Sequence, residues 1–306
     1  MIAVGWEQLL GQPQAVSLLT RAITCARVVH GYLFHGPLGV GKALAARLFA
    51  QELLEDDHAQ PLDLLWLEPT YRKGERLYTA QQARAEEVSM SSLPQVRLEQ
   101  VHTAQRFLSR SPNVAPRRVV VIEGAETMGE PAANALLKTL EEPGTGVMVL
   151  TAHQGYRVLS TIRSRCQLIP FYRLREELLR ALVGPEYPED LLAMAQGSPG
   201  EAQRIYQQYQ ALPQGLLHSF FPWPHQPLPL MTLAREVDAA LDLEAQLWLV
   251  DYLQQRLWIL VQQGSVTAAV LTHLERLRGQ LTRHVQPRLA WEVALIQGHL
   301  GEQTVC

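Results

Sequence analysis

Eight residues, Gly36-Pro37-Leu38-Gly39-Val40-Gly41-Lys42-Ala43, carry the clearest chemistry in the chain. Glycines at 36, 39 and 41 let a backbone wrap with its amides facing inward, and Lys42 can reach the far end of a polyphosphate held there. The apolar run Tyr32 to His35 precedes the loop and a helical pattern, Ala43 to Leu54, follows it. The wrapped amides therefore sit at a helix N-terminus, whose dipole favours anions. Gly36, Gly39, Gly41 and Lys42 are the candidate nucleotide-binding residues. Hydrolysis needs more than this cradle. An ATPase built on such a loop holds magnesium through a Ser or Thr hydroxyl directly after the lysine, and here that residue is Ala43. A later buried strand should end in an Asp for the metal and a Glu that activates water, yet Val119 to Ile122 runs into Glu123-Gly124. Loss of a general base alone typically lowers a rate by about 10²–10⁴-fold. The expectation is weak ATP or ADP binding at most, no required cofactor, and no ATPase activity from this chain by itself.

The remaining candidates are plainer. Arg165, in Ser164-Arg165-Cys166, reads as a surface charge or a structural ion pair when taken alone. Cys166 reads as a small buried residue, because a nucleophilic thiol needs a polar, His-lined setting that no nearby pattern offers. His35, His102 and His153 are isolated and suggest no ligand set. The three cysteines, at 25, 166 and 306, form neither a disulfide framework nor a metal-binding pair, so we expect no metal site and a reducing cytoplasm. The 27 Lys and Arg against 30 Asp and Glu give a net charge of −3, so any contact with nucleic acid must be local or shared with partners. The opening MIAVGWEQLL lacks the basic and apolar regions of a signal peptide, and no run of about 18 apolar residues suggests a membrane span.

These residues need elements to position them. The 306 residues, 47% hydrophobic and 19% charged, are enough for about two domains with real cores. Short apolar runs at Tyr32 to His35, Leu62 to Leu67, Val119 to Ile122, Val147 to Thr151 and Gln167 to Phe171 read as buried strands. Helical patterns at Ala43 to Leu54, Leu98 to Ser109 and Ala132 to Glu142 alternate with them, which predicts an α/β parallel sheet. The polar segment Glu68 to Gln95 reads as a solvated loop or hairpin. After Phe171 the pattern is helical only, with breaks at Gly184-Pro185 and Gly197-Ser198-Pro199-Gly200 and a joint at Phe221 to Pro227. We therefore divide the chain into an α/β module at 1–172, a small helical lid at 173–211, a linker at 212–229 and a helical domain at 230–306. A long helix is expected over Leu241 to Gln263.

Taken together, the loop Gly36 to Ala43, the run VVVIEGAETM, the stretch from Pro131 through NALLKTLEEP to Pro143, and Ser164-Arg165-Cys166 resemble the AAA+ subunits of the bacterial DNA polymerase III clamp loader. The resemblance covers about residues 5 to 211, and the eroded loop and strand are similar to the non-hydrolysing branch of that family. It implies an AAA+ P-loop module, a lid and a C-terminal collar domain. It further implies that Arg165 is an arginine finger reaching into a neighbour's ATP site. The implied partners are ATPase motor subunits and the delta subunit and, through the complex, the sliding clamp and primer-template DNA. Two departures stand out. The four zinc-binding cysteines of motor relatives have no counterpart between Gln51 and Gln100, so no zinc is expected, and no sensor arginine follows Gly197-Ser198. The rival reading, a free-standing or motor-type P-loop ATPase acting on DNA, would need the hydroxyl and the acidic pair that positions 43, 123 and 124 lack.

Overall fold

The computed structural model describes residues 5–302 apart from 56–60, 87, 89–92, 142–143, 145, 222–225 and 284. The chain gathers into two compact units, Met1–Leu179 with Gly197–Gly200, and Arg180–Gln196 with Glu201–Cys306. Residues of the expected lid are shared between them. In the first unit the elements run α1 (Pro13–Thr24), β1 (Gly31–His35), α2 (Lys42–Leu54), β2 (Leu64–Leu67), β3 (Thr70–Lys73), β4 (Arg76–Thr79), α3 (Ala80–Ala85), α4 (Leu98–Leu108), β5 (Val119–Ile122), α5 (Glu130–Glu141), β6 (Val147–Ala152), α6 (Ser160–Arg163) and β7 (Gln167–Pro170). Five of the strands form one parallel sheet in the order β2-β5-β6-β1-β7. The strands expected from the sequence are all in it, with ends shifted by one or two residues.

Both faces of this sheet are covered, which is why β5 and β6 read as unbroken apolar runs rather than alternating ones. Tyr32, Phe34, Val119, Val121, Val147 and Val149 pack on one face with Leu19 of α1 and Phe49 and Leu53 of α2. Leu33, Val120, Ile122, Met148 and Leu150 pack on the other with Val101 and Ala104 of α4 and Leu136 of α5. Each such side chain contributes roughly 1.5–3 kcal/mol when fully buried. The segment Glu68 to Gln95 contains a hairpin, β3 against β4, which α3 follows from a capping box at Thr79 and Gln82. Thr70 and Gln95 exchange backbone hydrogen bonds of 2.9 and 3.0 Å at its base.

The second unit is helical among its described residues. Helices α7 (Glu176–Val183) and α9 (Pro199–Ala211) each cross its boundary, and α8 (Glu189–Ala195), α10 (Pro227–Ala240), α11 (Leu243–Gln262), α12 (Ala269–Thr282) and α13 (Pro287–Glu302) lie within it. The long helix begins two residues later than expected because the Asp242 carboxylate accepts from Ala245 N at 2.8 Å and caps it there. Buried Trp291 donates to Gln246 Oε1 at 3.0 Å, and Gln246 Nε2 donates to Leu241 O at 2.9 Å, so Gln246 satisfies two polar groups of this core. Pro222 to His225, the centre of the expected joint, lie outside the described residues. No helix among the described residues is long and apolar enough to cross a membrane.

One buried polar cluster fixes the start of β5. The Asp63 carboxylate, 2% exposed as a side chain, accepts from the backbone N–H groups of Asn113, Val114 and Ala115 at 2.8–3.1 Å and lies 3.3 Å from Arg118 Nε. Burial alone would raise its pKa, but these donors and the guanidinium outweigh burial and hold the group below its usual value. Its contribution to stability is therefore complete above the unfolded value near 3.9 and is lost as pH falls through the lower folded one. Asp63→Ala is expected to lower stability by about 3–5 kcal/mol, because it leaves the buried Arg118 guanidinium without its carboxylate. Urea unfolding at pH 7 tests this, and a loss under about 1 kcal/mol, the worth of an exposed ion pair, would contradict it.

Candidate functional site

The loop Gly36 to Lys42 joins the C-terminal end of β1 to the first turn of α2, in the strand-loop-helix context that the sequence predicts. Within it Lys42 is buried, and its Nζ donates to Gly36 O at 2.7 Å and to Pro37 O. Burial lowers the Lys42 pKa to about 8, while the carboxylates of Glu126 and Glu123 pull it upward. The loop is also tied to the segment 197–200. Ser198 Oγ donates to Leu38 O at 2.7 Å and Gly200 N donates to Gly39 O at 2.8 Å. A Cβ on Gly200 would stand 2.8 Å from Gly39 Cα, so only glycine permits that approach. The segment 197–200, which as sequence looks like a simple break between helices, is bonded to the backbone of the phosphate loop.

The hydrolytic positions are occupied by other interactions. Glu123, at the end of β5, accepts from Trp66 Nε1 at 2.8 Å, and the Arg47 guanidinium lies 5.1 Å over the Trp66 ring. Burial raises the Glu123 pKa, and the indole hydrogen bond opposes that shift. Gly124 sits at φ +62°, and a Cβ there would meet Pro69 Cγ at 2.8 Å. Glu126, a position the sequence reading did not single out, accepts from His153 N at 2.9 Å, while its Oε2 is buried without a partner. His35, at the mouth of the loop, has a lowered pKa from burial and from the charges of Arg163 and Lys42. Glycines 36, 39 and 41 with Lys42 suit a polyphosphate, but Ala43, Glu123 and Gly124 do not suit its magnesium or an attacking water.

Arg165 stands elsewhere. It lies in the turn between α6 and β7, where its NH1 donates to Thr161 O at 3.0 Å and its NH2 pairs with Glu141 Oε1 at 2.6 Å. The backbone of this turn is adjacent to the first residue of β1, since a Cβ on Gly31 would be 3.3 Å from Arg165 O. The phosphate loop follows the last residue of the same strand. At about 3.3 Å per residue, five residues of parallel strand put the arginine turn and the loop at opposite ends of the strands, roughly 15 Å apart. Cys166 beside it is half-buried, and burial pushes its thiol up to about 12, which leaves it protonated and unreactive at neutral pH.

The fold and the loop together define a AAA+ P-loop module. A family model described as DNA polymerase III, delta subunit, matches residues 11–175, and one described as the C-terminal domain of cyanobacterial DNA polymerase III delta prime matches residues 175–298. The chain belongs to the DNA polymerase III delta prime family. It is 36% identical to the delta prime subunit of Pseudomonas aeruginosa over 223 residues, 66% of this chain and 60% of that one. It is 28% identical to the delta prime subunit of Bacillus subtilis over 263 residues, 79% of this chain and 78% of that one. The chain thus spans less than two thirds of the Pseudomonas relative. A crystal structure of a DNA polymerase III gamma subunit-related protein from Thermotoga maritima superimposes with a TM-score of 0.54 at 17% identity, over 94% of this chain and 99% of that one, and shares the fold.

The geometry at Gly124 makes the loss of the base more than a side-chain deletion. A glutamate there must adopt a left-handed backbone, which costs about 1–2 kcal/mol for a residue with a Cβ, besides displacing Pro69. The triple variant Ala43→Thr, Glu123→Asp, Gly124→Glu is therefore expected to unfold at lower urea than the parent and to release no phosphate from ATP. Unchanged stability with easily measured turnover would refute this account of the site.

Proposed function

We propose that this chain is the non-hydrolysing subunit of a DNA polymerase III clamp loader and that it donates Arg165 to the ATP site of a neighbouring motor subunit. By itself it is not an enzyme. Its partners are the motor subunits and the delta subunit and, through the assembled complex, the ring-shaped sliding clamp and primer-template DNA. It needs no cofactor and no zinc, and Gly36, Gly39, Gly41 and Lys42 bind ATP or ADP weakly at most. The helical domain at 230–306 joins the collar, and the exposed side chains of Trp258, Leu289 and Val293 are suited to contacts there.

One observation carries this reading. The guanidinium of Arg165 is exposed at the end of the strands opposite the chain's own phosphate loop, which supports an anion brought by another subunit. A planar fork of N–H donors suits a γ-phosphate on which charge develops. The loop, with Ala43 and Gly124 in the hydrolytic positions, supports the division of labour, in which this subunit supplies the arginine and its neighbour the nucleotide.

Two measurements test the proposal. The purified chain should show no ATPase above background, and turnover abolished by Lys42→Ala would contradict it. In a complex reconstituted with sibling subunits, clamp and primed DNA, Arg165→Ala should leave assembly and ATP binding intact but lower the stimulated ATPase, and lysine should not restore it fully. A fully used finger is worth about 10³-fold or more at the site it serves, diluted here by sites that other subunits complete. Normal ATPase per complex combined with a large fall in melting temperature would instead make Arg165 a structural ion-pair residue.

A further inference from the structure

We propose that Glu141 is the positioning residue for Arg165, holding its guanidinium in the orientation from which it engages a neighbour's phosphate; this rests on the finger reading above. Three acceptors from two elements fix the group: Glu141 Oε1 at the end of α5, 2.6 Å from NH2, and Thr161 O and Ser164 Oγ of the α6 turn, 3.0 and 3.4 Å from NH1. Thr161 and Ser164 are local to the arginine and hold its base. Among the described residues Glu141 alone reaches it from a different helix, and so sets the direction in which the fork points.

Stability does not explain the pair. The two side chains are 37% and 49% exposed, and an ion pair this open contributes about 0–1 kcal/mol to folding. Nor does α5 call for an acid at this place. Glu141 is its last residue, where the negative end of the helix dipole disfavours a carboxylate. The arrangement has a clear use at a subunit edge. A free arginine carries about 2 kcal/mol of rotamer entropy, which must be lost when it docks on a phosphate. Held by Glu141, it has lost much of that freedom before the neighbour's nucleotide arrives. The guanidinium offers five N–H donors and the three bonds engage three of them, so the tether is compatible with an incoming anion.

The test uses the full chain in the reconstituted complex with clamp and primed DNA, comparing Glu141→Ala, Glu141→Asp, Arg165→Ala and the double variant Glu141→Ala/Arg165→Ala. Glu141→Ala is expected to lower the stimulated kcat by about 3–10-fold, with the KM for ATP within about twofold of the parent, as befits lost orientation rather than lost nucleotide binding. The melting temperature of the free subunit should move by less than about 2 °C. Glu141→Asp, which keeps the charge on a shorter arm, should recover part of the rate. The double variant should be no slower than Arg165→Ala, because Glu141 acts only through that arginine. If Arg165→Ala lowers kcat and Glu141→Ala does not, the positioning role is wrong while the finger stands. If the two effects multiply in the double variant, Glu141 acts elsewhere and the proposal also fails. A silent Arg165→Ala would overturn the finger itself, and the positioning role with it.

Discussion

The covering of one parallel sheet on both faces is the constraint from which the rest of the first unit follows. Strands β1, β5 and β6 send successive side chains to opposite apolar clusters, so a shift of one residue in any of them would exchange the two sets. Register is thereby fixed, and with it the positions of the strand ends. Every feature with chemical potential sits at such an end: the phosphate loop after β1, Glu123 and Gly124 after β5, and the arginine turn before β7. The buried Asp63 cluster extends the same control to the start of β5, where Asp63 O accepts from Val119 N at 2.9 Å.

The phosphate loop is tied into the packing of the fold as well as offering a candidate cradle. Its lysine is turned onto the carbonyls of Gly36 and Pro37, and two further carbonyls, those of Leu38 and Gly39, are taken by Ser198 and Gly200. The carbonyls that the tight wrap leaves facing away from helix α2 are thus satisfied by the protein itself. Around them Glu123 is committed to Trp66, and Gly124 holds a backbone conformation that a catalytic glutamate could adopt only under strain.

The arginine turn shows the opposite economy. Nothing in the core depends on Arg165, yet its guanidinium is held by three acceptors at an exposed edge. An order imposed on a long surface side chain, with little return in stability, is what a contact with another molecule requires. In the proposed assembly the two ends of the strands have different duties: one carries the phosphate loop and the other faces a neighbour.

The sequence alone determined the local features. Unbroken apolar runs at Val119 to Ile122 and Val147 to Thr151, alternating with helical patterns, fixed a parallel sheet, because strands buried on both faces leave that signature. The glycines and lysine of the loop, Ala43 and Gly124 were equally legible, since each is a matter of residue type at a known offset from a strand. The hairpin within Glu68 to Gln95 was only half legible, for its short polar strands carry no periodicity strong enough to tell them from a loop. Tertiary structure alone decided what touches what over long separations. Ser198 reaches Leu38 across 160 residues, Trp66 reaches Glu123 from a neighbouring strand, and Glu141 meets Arg165 from another helix. No local pattern encodes these contacts, because each depends on the order in which strands and helices pack, and that order is set by the whole chain burying its apolar surface at once.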